Sequence, residues 1–256
     1  MKPVLLLGDS CTDKFVYCRC VRLCPEAPVP LLDVDHVTSN YGMAGNVWQN
    51  LRGLGVKTQF FTNTNTDDIV KTRYVDSKTN HMFIRIDHTE PPSTTFKDYK
   101  KRIKWDKFSA VVISDYIKGF LTEDDIEHIA KKHSTTFLDT KRPLGSWCDN
   151  ISYIKINRQE YANTKPSITP RLEENIIVTC GGEGATFRGR KYPVNDVEVK
   201  DVSGAGDTFL AGLVAAYVKG SSIHDAITYA NSCASYVVQR KGVTVVTAGD
   251  VLHLCP

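Results

Sequence analysis

The sequence lacks any long hydrophobic run and any strong excess of one charge. Apolar stretches such as residues 4–7 are far shorter than the roughly 20 residues that a membrane-spanning helix needs. Lys and Arg number 32 against 29 Asp and Glu, a net charge of +3, and a dedicated nucleic-acid binder would carry a concentrated basic face. No signal peptide opens the chain, because residues 1–3 lead directly into a strand-like run. We therefore expect a cytoplasmic protein that has no membrane or nucleic-acid partner.

Two common phosphate-binding patterns are also missing. There is no G-x-x-x-x-G-K-[ST] segment, which excludes the P-loop class. No G-x-G-x-x-G segment lies between a strand and a helix. The glycine-rich segment 181–184 does follow a strand, but it leads into another strand-like run at 185–187. It is therefore predicted to be a turn rather than a dinucleotide-binding loop.

Eight cysteines are present, and four of them, Cys11, Cys18, Cys20 and Cys24, lie close together. They permit two interpretations, a metal cluster or free thiols in a reducing compartment. Zinc sites usually pair their ligands as C-x2-C or a similar spacing, which these four do not match well. The spacing favours free thiols, and the scattered remaining cysteines argue against a disulfide framework.

The order of predicted elements indicates an α/β fold with a mostly parallel sheet. Short, continuously apolar runs rich in Val, Ile and Leu are typical of central strands covered on both faces. They occur at 3–8, 57–61, 110–114, 135–139, 153–156 and 176–180. Helices are predicted around 47–54, from Thr122 to 132, at 207–219 and at 222–240, where apolar residues recur at helical spacing. The length of 256 residues suits a single domain, residues 1–256.

Two segments, about 14–37 and 70–90, are β-rich with no helix between their strands. Residues 74–87 are predicted to form a hairpin that turns at 78–80. In open α/β sheets, ligands bind at the carboxyl ends of the strands. A small β sheet placed there would act as a lid that closes over a ligand and excludes water.

The strongest chemical signal is the segment Asp201–Thr208, which precedes an apolar helix. Gly204, Ala205 and Gly206 let the backbone approach a ligand, and amides at a helix start bind anions. Asp207 is then suited to accept the proton of a hydroxyl that attacks a phosphoryl group held by those amides. The alternative is structural, with Asp207 capping the free helix amides.

Several motifs in order along the chain resemble the ribokinase-like carbohydrate kinases. Segment 201–207 is similar to their second signature and segment 42–46 to their first. The start of the chain at 8–13 is similar to their first sugar-binding loop, segment 157–160 to their Asn-x-x-Glu motif, and segment 179–184 to their nucleotide loop. The resemblance extends from residue 8 to residue 242. It implies a three-layer α/β sandwich with a mostly parallel central sheet and a small β lid.

This resemblance also implies roles for individual residues. Asp207 would be the catalytic base, with Gly204, Ala205 and Gly206 as amide donors to the γ-phosphate. The substrate-binding residues would be Asp13, Gly42, Asn46, Arg85 and Lys118. The ATP-binding residues would be Asn157, Glu160, Thr179, Gly181, Gly184 and Asn231, with Glu160 orienting Mg²⁺ through water. A monovalent cation near Asp201 and residues 242–244, and a homodimer formed through the lid, are further implications. For most of these charged side chains the competing interpretation is capping or solvated surface charge.

Local matches such as 25–30, 71–73, 85–87 and 114–119 are most similar to the heptose 7-phosphate kinases of lipopolysaccharide-precursor synthesis. They imply phosphorylation of the anomeric 1-hydroxyl of D-glycero-D-manno-heptose 7-phosphate. The alternatives are another sugar or sugar-phosphate kinase of the family, or a non-catalytic sugar- or nucleotide-binding homologue. Two departures bear on this choice. Met43 stands where the family has glycine, at a position that needs either a positive φ or close packing, and the stretch 55–69 is about one helix–strand unit short.

Overall fold

The computed structural model describes residues 2–251, apart from the side chain of Thr66. Within that range an eight-stranded sheet forms the body. Its parallel part consists of β1 (Val4–Gly8), β4 (Thr58–Phe61), β7 (Ala110–Asp115), β8 (Thr136–Thr140), β9 (Tyr153–Asn157) and β10 (Ile176–Thr179). Two short antiparallel strands, β11 (Ala185–Phe187) and β12 (Arg190–Tyr192), extend one edge. The strand order across the sheet is β12-β11-β10-β9-β8-β7-β1-β4.

Helices cover both faces of this sheet, as the continuous apolar strands predict. One face packs against α1 (Ala44–Gly53), α6 (Ala205–Val218), α7 (Ile223–Val238) and α8 (Ala248–Val251). The other face packs against α2 (Phe96–Lys100), α3 (Glu123–Lys132), α4 (Arg158–Thr164) and α5 (Pro170–Glu173). The result is a three-layer α/β/α sandwich, which confirms the predicted fold class.

Local signals explain where the helices begin. Thr122 caps α3 in a capping box, accepting from the amide of Asp125 while the Asp125 carboxylate accepts from the Thr122 amide. Ser222 caps α7 by accepting from the Asp225 amide. Helix α6 begins two residues earlier than the sequence predicts, because Gly204 takes a left-handed conformation (φ 78°) and turns the chain into the helix.

A second, smaller sheet contains β2 (Ser10–Leu23), β3 (Pro30–Met43), β5 (Ile69–Asp76) and β6 (Met82–Thr89). Its strand order is β3-β2-β5-β6. The predicted hairpin is present as β5 and β6, and its turn includes Asn80 with a positive φ of 62°. The parallel pairing of β2 with β5, which joins the two hairpins, has no signal in the sequence. Rows of paired residues place Asp13, Lys71 and Asp87 on one face of this sheet.

Met43 joins the small sheet to α1 and has both properties expected for its position. Its φ is 57° and its side chain is only 2% exposed. A non-glycine residue in this region is strained, and such strain persists only where the surrounding structure imposes it. No helix among residues 2–251 is both long and apolar enough to span a membrane.

Candidate active site

Asp207 lies in the first turn of α6, at the end of the sheet where β1, β7, β8 and β9 finish. Its side chain is buried, and both carboxylate oxygens accept hydrogen bonds from other elements. The Tyr116 hydroxyl donates to Oδ1 at 2.7 Å, and the Asn46 amide nitrogen donates to Oδ2 at 3.1 Å. The carboxylate is therefore held by side chains from the loop after β7 and from α1. This geometry favours the chemical interpretation of Asp207 over the capping one.

The environment of Asp207 brings its pKa close to neutrality. Burial raises the pKa to about 6, and the negative charge of Asp139 adds to the increase. Hydrogen bonds from Tyr116 and Asn46 and the charge of Lys155 act in the opposite direction but do not cancel the effect of burial. A carboxyl group whose pKa lies near the working pH is well matched to taking up a proton.

The start of α6 has the character of an anion site. Amides in the first turn of a helix have no partner inside the helix and carry the positive end of its dipole. The buried ammonium group of Lys155 adds to that charge. It lies next to the helix start, since a Cβ placed on Gly206 would be 2.9 Å from Lys155 Nζ. Gly204 is needed for space as well as for its positive φ, since a Cβ there would lie 2.6 Å from the amide nitrogen of Asn46.

Four charged side chains form a chain of ion pairs beside this helix start. Lys155 Nζ lies 2.7 Å from one Asp139 oxygen, and Lys141 Nζ lies 3.5 Å from the other. Lys141 Nζ also lies 2.6 Å from Glu160. Burial acts to raise the pKa of Asp139, but the two lysines outweigh it and the pKa is lowered. Burial acts to lower the pKa of Lys141, but Asp139 and Glu160 outweigh it and the pKa is raised. Lys155 carried no recognisable signal in the sequence.

Asn157 and Glu160 cap α4 reciprocally. The Asn157 side chain accepts from the Glu160 amide at 2.8 Å, and the Glu160 carboxylate accepts from the Asn157 amide at 2.7 Å. The carboxylate remains partly exposed, with 18% of the side chain accessible. Among the residues that the structure describes, no three His, Cys, Asp or Glu side chains are grouped to hold a metal ion. Magnesium usually keeps several waters and binds one or two carboxylates together with phosphates. Both Glu160 oxygens already accept hydrogen bonds, from Lys141 Nζ at 2.6 Å and from the Asn157 amide at 2.7 Å, so Glu160 fits an ion held through water rather than by direct ligation.

A cleft of about 250 Å³ lies between the loop after β10 and helices α6 and α7. Its lining includes the predicted ATP-binding residues Thr179, Gly181, Gly184 and Asn231. Its walls also contain the apolar side chains of Val202, Phe209, Ala234 and Val238, which suit a flat base. Asn231 itself donates to the Tyr192 carbonyl at 2.8 Å, and a Cβ on Gly184 would lie 2.0 Å from the same oxygen. These two residues therefore shape the cleft wall.

Asp13 lies on the face of the small sheet that carries Lys71 and Arg73. It is 6% exposed and forms an ion pair with Arg73 at 2.5 Å. A Cβ on Gly42 would lie 2.2 Å from the other carboxylate oxygen of Asp13, so this glycine makes room for the acid. Arg73 is a contact that sequence reasoning missed. Its only sequence signal was its place in segment 71–73.

The structure brings Arg85 and Lys118 to the edge of the same sheet but not to Asp207. Arg85 forms two hydrogen bonds to Asp87, at 2.7 and 2.6 Å, and 44% of its side chain is exposed. It lies directly opposite Arg73 in the β5–β6 pairing, so both face the same side. Lys118 Nζ contacts the Thr89 hydroxyl at 3.3 Å. Surface charge remains a sufficient explanation of either contact by itself.

Asp201 connects two loops next to the nucleotide cleft. One carboxylate oxygen accepts from the Ser203 amide at 2.8 Å and the other from the Gly242 amide at 3.0 Å. The four clustered cysteines are free thiols; Cys11 and Cys18 are buried, while Cys20 and Cys24 are partly exposed.

Comparison with known proteins agrees with this geometry. The family model described as pfkB family carbohydrate kinase matches residues 43–248. Structures with a similar fold include phosphofructokinase-2 from Escherichia coli in complex with potassium (TM-score 0.74, 12% identity, covering 99% of this chain and 98% of that chain). Another is ribokinase from Thermotoga maritima (TM-score 0.76, 16% identity, 98% of each chain). The fold and the site define a phosphate-transferring enzyme that acts on sugars, and the chain belongs to the pfkB family of carbohydrate kinases.

Curated relatives named "Bifunctional protein HldE" are also similar. The protein from Caulobacter vibrioides is 29% identical over 307 aligned residues, which cover 98% of this chain and 62% of the relative. The protein from Helicobacter pylori strain J99 is 29% identical and is covered to 66%. The chain thus spans less than two thirds of the length of these relatives. The alignment of 307 residues is longer than the 256 residues of the chain, so the relatives contain segments that this chain lacks.

Proposed function

We propose that this chain transfers the γ-phosphoryl group of ATP to the 1-hydroxyl of D-glycero-D-manno-heptose 7-phosphate, with Asp207 as the general base. The observation that carries the proposal is the combination at the start of α6. A buried carboxyl group with a pKa of about 6 lies beside free helix amides and the ammonium group of Lys155. The resemblance of segments 71–73, 85–87 and 114–119 to heptose 7-phosphate kinases supports the choice of sugar.

In the proposed reaction the sugar hydroxyl oxygen forms a bond to the γ-phosphorus as the bond to the ADP oxygen breaks. The hydroxyl proton moves to the Asp207 carboxylate. Amides of Gly204, Ala205 and Gly206, together with Lys155, stabilise the charge on the transferred group. Kinases of this family use Mg²⁺ with ATP, and the ion neutralises phosphate charge when it is bound. Glu160 would orient it through water.

The nucleotide would occupy the cleft between the loop after β10 and helices α6 and α7. Its base would contact the apolar walls, and its phosphates would approach the glycines of segment 181–184 and the start of α6. Thr179, Gly181, Gly184 and Asn231 would then form or support the cleft. Asn157 acts by holding Glu160 through the α4 cap. Asp201 and the backbone of residues 242–244 are our candidate site for a monovalent cation.

The small sheet is proposed to serve as a lid over the sugar. Asp13 would accept sugar hydroxyls, with Gly42 providing the space for its carboxylate. Asn46 would orient both the sugar and Asp207. The distal phosphate needs cations, and Arg85 and Lys118 are our candidates, with Lys71 on the same face of the sheet as Arg85.

The opposite face of the small sheet supports a homodimer formed through the lid. Val34, Val37, Ile84 and Ile86 on this face are 47–57% exposed, and exposed apolar patches commonly mark interfaces. In sedimentation experiments the native chain should form a dimer and Ile84→Lys a monomer. A native chain that remains monomeric at high concentration would contradict the proposed interface.

The substrate assignment is tested by comparing the heptose with and without its 7-phosphate, together with ribose, fructose and fructose phosphates. We expect kcat/KM to be highest for the 7-phosphate. Arg85→Gln should lower this value mainly through KM and should leave the rate on the unphosphorylated heptose unchanged. Arg19→Gln is the matched control, because Arg19 lies exposed on the same sheet at 3.5 Å from Asp35.

Two outcomes would change the assignment. Preference for another sugar would keep the mechanism and replace the substrate. An equal loss on both forms of the heptose in Arg85→Gln would remove Arg85 from the phosphate site.

A further inference from the structure

The loop between β7 and α3 places one side chain directly on Asp207. Tyr116, the first residue after β7, donates its hydroxyl to Asp207 Oδ1 at 2.7 Å. Burial and the neighbouring Asp207 charge raise the pKa of Tyr116, so its hydroxyl stays protonated and remains a donor. None of the roles assigned above involves this residue.

Two buried carboxylates hold the backbone of this loop. Asp9, at the end of β1, accepts from the amides of Tyr116, Lys118 and Phe120 at 2.8, 3.1 and 3.0 Å. Asp115 accepts from the amide of Ile117 at 3.2 Å. A carboxylate that receives several amides fixes their relative positions, because each amide would otherwise lack a buried partner. Asp9 therefore determines the backbone path on both sides of Tyr116.

The loop is also strained next to Tyr116. Ile117 has a φ of 57°, and a β-branched residue in the left-handed region is an outlier that costs energy. Its side chain is 46% exposed, so tight packing does not account for the conformation. The hydrogen bonds to Asp9 and Asp115 impose the conformation. Strain of this kind concentrates where a fold keeps a functional group in place.

The ring of Tyr116 also lies where two parts of the site meet. Lys71 Nζ, from the small sheet, is 5.2 Å from the ring centroid. Lys141 Nζ, which forms an ion pair with Glu160, is 5.1 Å from the same ring centroid. Both distances are within the range of cation–π attraction. The aromatic ring thus contacts the sugar side and the metal side of the site, while the hydroxyl contacts the acid between them.

We propose that Tyr116 is a positioning residue that holds and orients Asp207 for proton transfer, and that the loop fixed by Asp9 positions Tyr116 for this contact. The proposal rests on the proposed function of Asp207. A hydrogen bond donated to one carboxylate oxygen stabilises the ionised form and leaves the remaining lone pairs free for the sugar hydroxyl. Without it, Asp207 would be protonated over more of the neutral range, and Asn46 would be the remaining side chain of the two that orient it.

Other groups around Asp207 also influence its titration and must be considered in the test. Besides Tyr116, the titratable groups whose charges interact with that of Asp207 are Asp139, Lys155, Lys141 and Cys11. Asp139 raises the pKa of Asp207 and Lys155 lowers it. A Tyr116→Phe substitution changes none of these residues and keeps the aromatic ring near Lys71 and Lys141. Its effect therefore reports the hydroxyl alone.

The test compares native chain, Tyr116→Phe and Tyr99→Phe. Tyr99 is the matched control, because its hydroxyl donates to the Thr62 carbonyl at 3.2 Å. In Tyr116→Phe we expect the acidic limb of the kcat profile to move up by about one pH unit, as for the loss of a hydrogen bond to a charged group. On that limb, at pH 5, kcat should fall about tenfold, and at pH 7 it should fall about twofold. KM for both substrates should change less than about twofold, and Tyr99→Phe should keep the native profile.

A second readout separates this proposal from the proposed function. Carbon-13 NMR of aspartate carboxyls, with the Asp207 signal assigned by its loss in Asp207→Asn, gives the titration of Asp207 without any sugar. An upward shift in Tyr116→Phe supports the role of Tyr116 even if the native chain phosphorylates no sugar, which would overturn only the proposed function. An unchanged carboxyl titration, or an unchanged kcat profile in an active enzyme, would overturn the proposal for Tyr116.

Discussion

Replacing Asp207 with asparagine should stabilise the folded chain at neutral pH while removing its proposed activity. The carboxyl group is 5% exposed, and burial raises its pKa from 3.8 to about 6. At pH 7 the folded chain must therefore keep a charge in an environment that disfavours it. Asparagine has nearly the same shape and no charge to bury.

The magnitude follows from the two pKa values. A raised folded-state pKa means that the folded chain binds the proton more tightly than the unfolded chain between about pH 4 and pH 6. Its stability therefore falls as pH rises through this window and levels off above about pH 7. A difference of about two pKa units corresponds to about 3 kcal/mol. The amide has its own cost, because it meets the donors Tyr116 and Asn46, but that cost does not vary with pH.

The assay is urea unfolding of native chain and Asp207→Asn at one-unit intervals from pH 4 to pH 8, analysed by linear extrapolation. The stability of Asp207→Asn relative to native chain should increase by about 2.4 kcal/mol between pH 4 and pH 7.5, most of the full effect, and then stay constant. Asp106→Asn, which removes an exposed carboxyl group, is the control. A relative stability of Asp207→Asn that stays flat or declines as pH rises would show that burial does not raise the pKa of Asp207.

Three further predictions follow from single contacts. With Asp207 as the base, kcat should rise with pH and reach half its maximum near pH 6; a kcat that is constant from pH 5 to 7.5 would contradict this role. Gly42→Ala should displace Asp13 and lower kcat/KM for the sugar by about 100-fold. Gly249→Ala should have native kinetics, because the added Cβ would lie 3.8 Å from its nearest neighbouring atom, the Thr247 hydroxyl oxygen. Asp9→Asn should lower the free energy of unfolding by about 2 kcal/mol in thermal or urea melts. The substitution replaces one carboxylate oxygen, an acceptor, with an NH2 group, a donor that would face the donating backbone amides. Native stability would show that these amides find other partners.

The central strands and long helices could be predicted from sequence because their signals are local. Residues 4–7 and 110–113 are continuously apolar, and Thr122 and Ser222 have their capping partners three residues further along the chain. The join between the two hairpins of the small sheet could not be predicted. The parallel pairing of β2 with β5 brings together residues 58 positions apart, such as Thr12 and Val70, and has no local signature.

The site shows the same division between local and long-range information. The glycine-rich start of α6 and the place of Asp207 were evident, because a helix start and its carboxylate are neighbours in sequence. The contacts of Asp207 with Tyr116 and Asn46 were not evident. Tyr116 lies 91 residues and Asn46 161 residues from Asp207 along the chain. The pairing of Lys155 with Asp139 depends on adjacent parallel strands.

Phosphate transfer from ATP to D-glycero-D-manno-heptose 7-phosphate can be followed directly by phosphorus-31 NMR, with native chain and with Asp207→Asn. We expect a 1,7-bisphosphate product with the native chain. With folded Asp207→Asn we expect a rate at least about 100-fold lower, since general-base catalysis contributes about that much. Equal rates in the two proteins, or binding of ATP and sugar by the native chain without turnover, would contradict the proposed function.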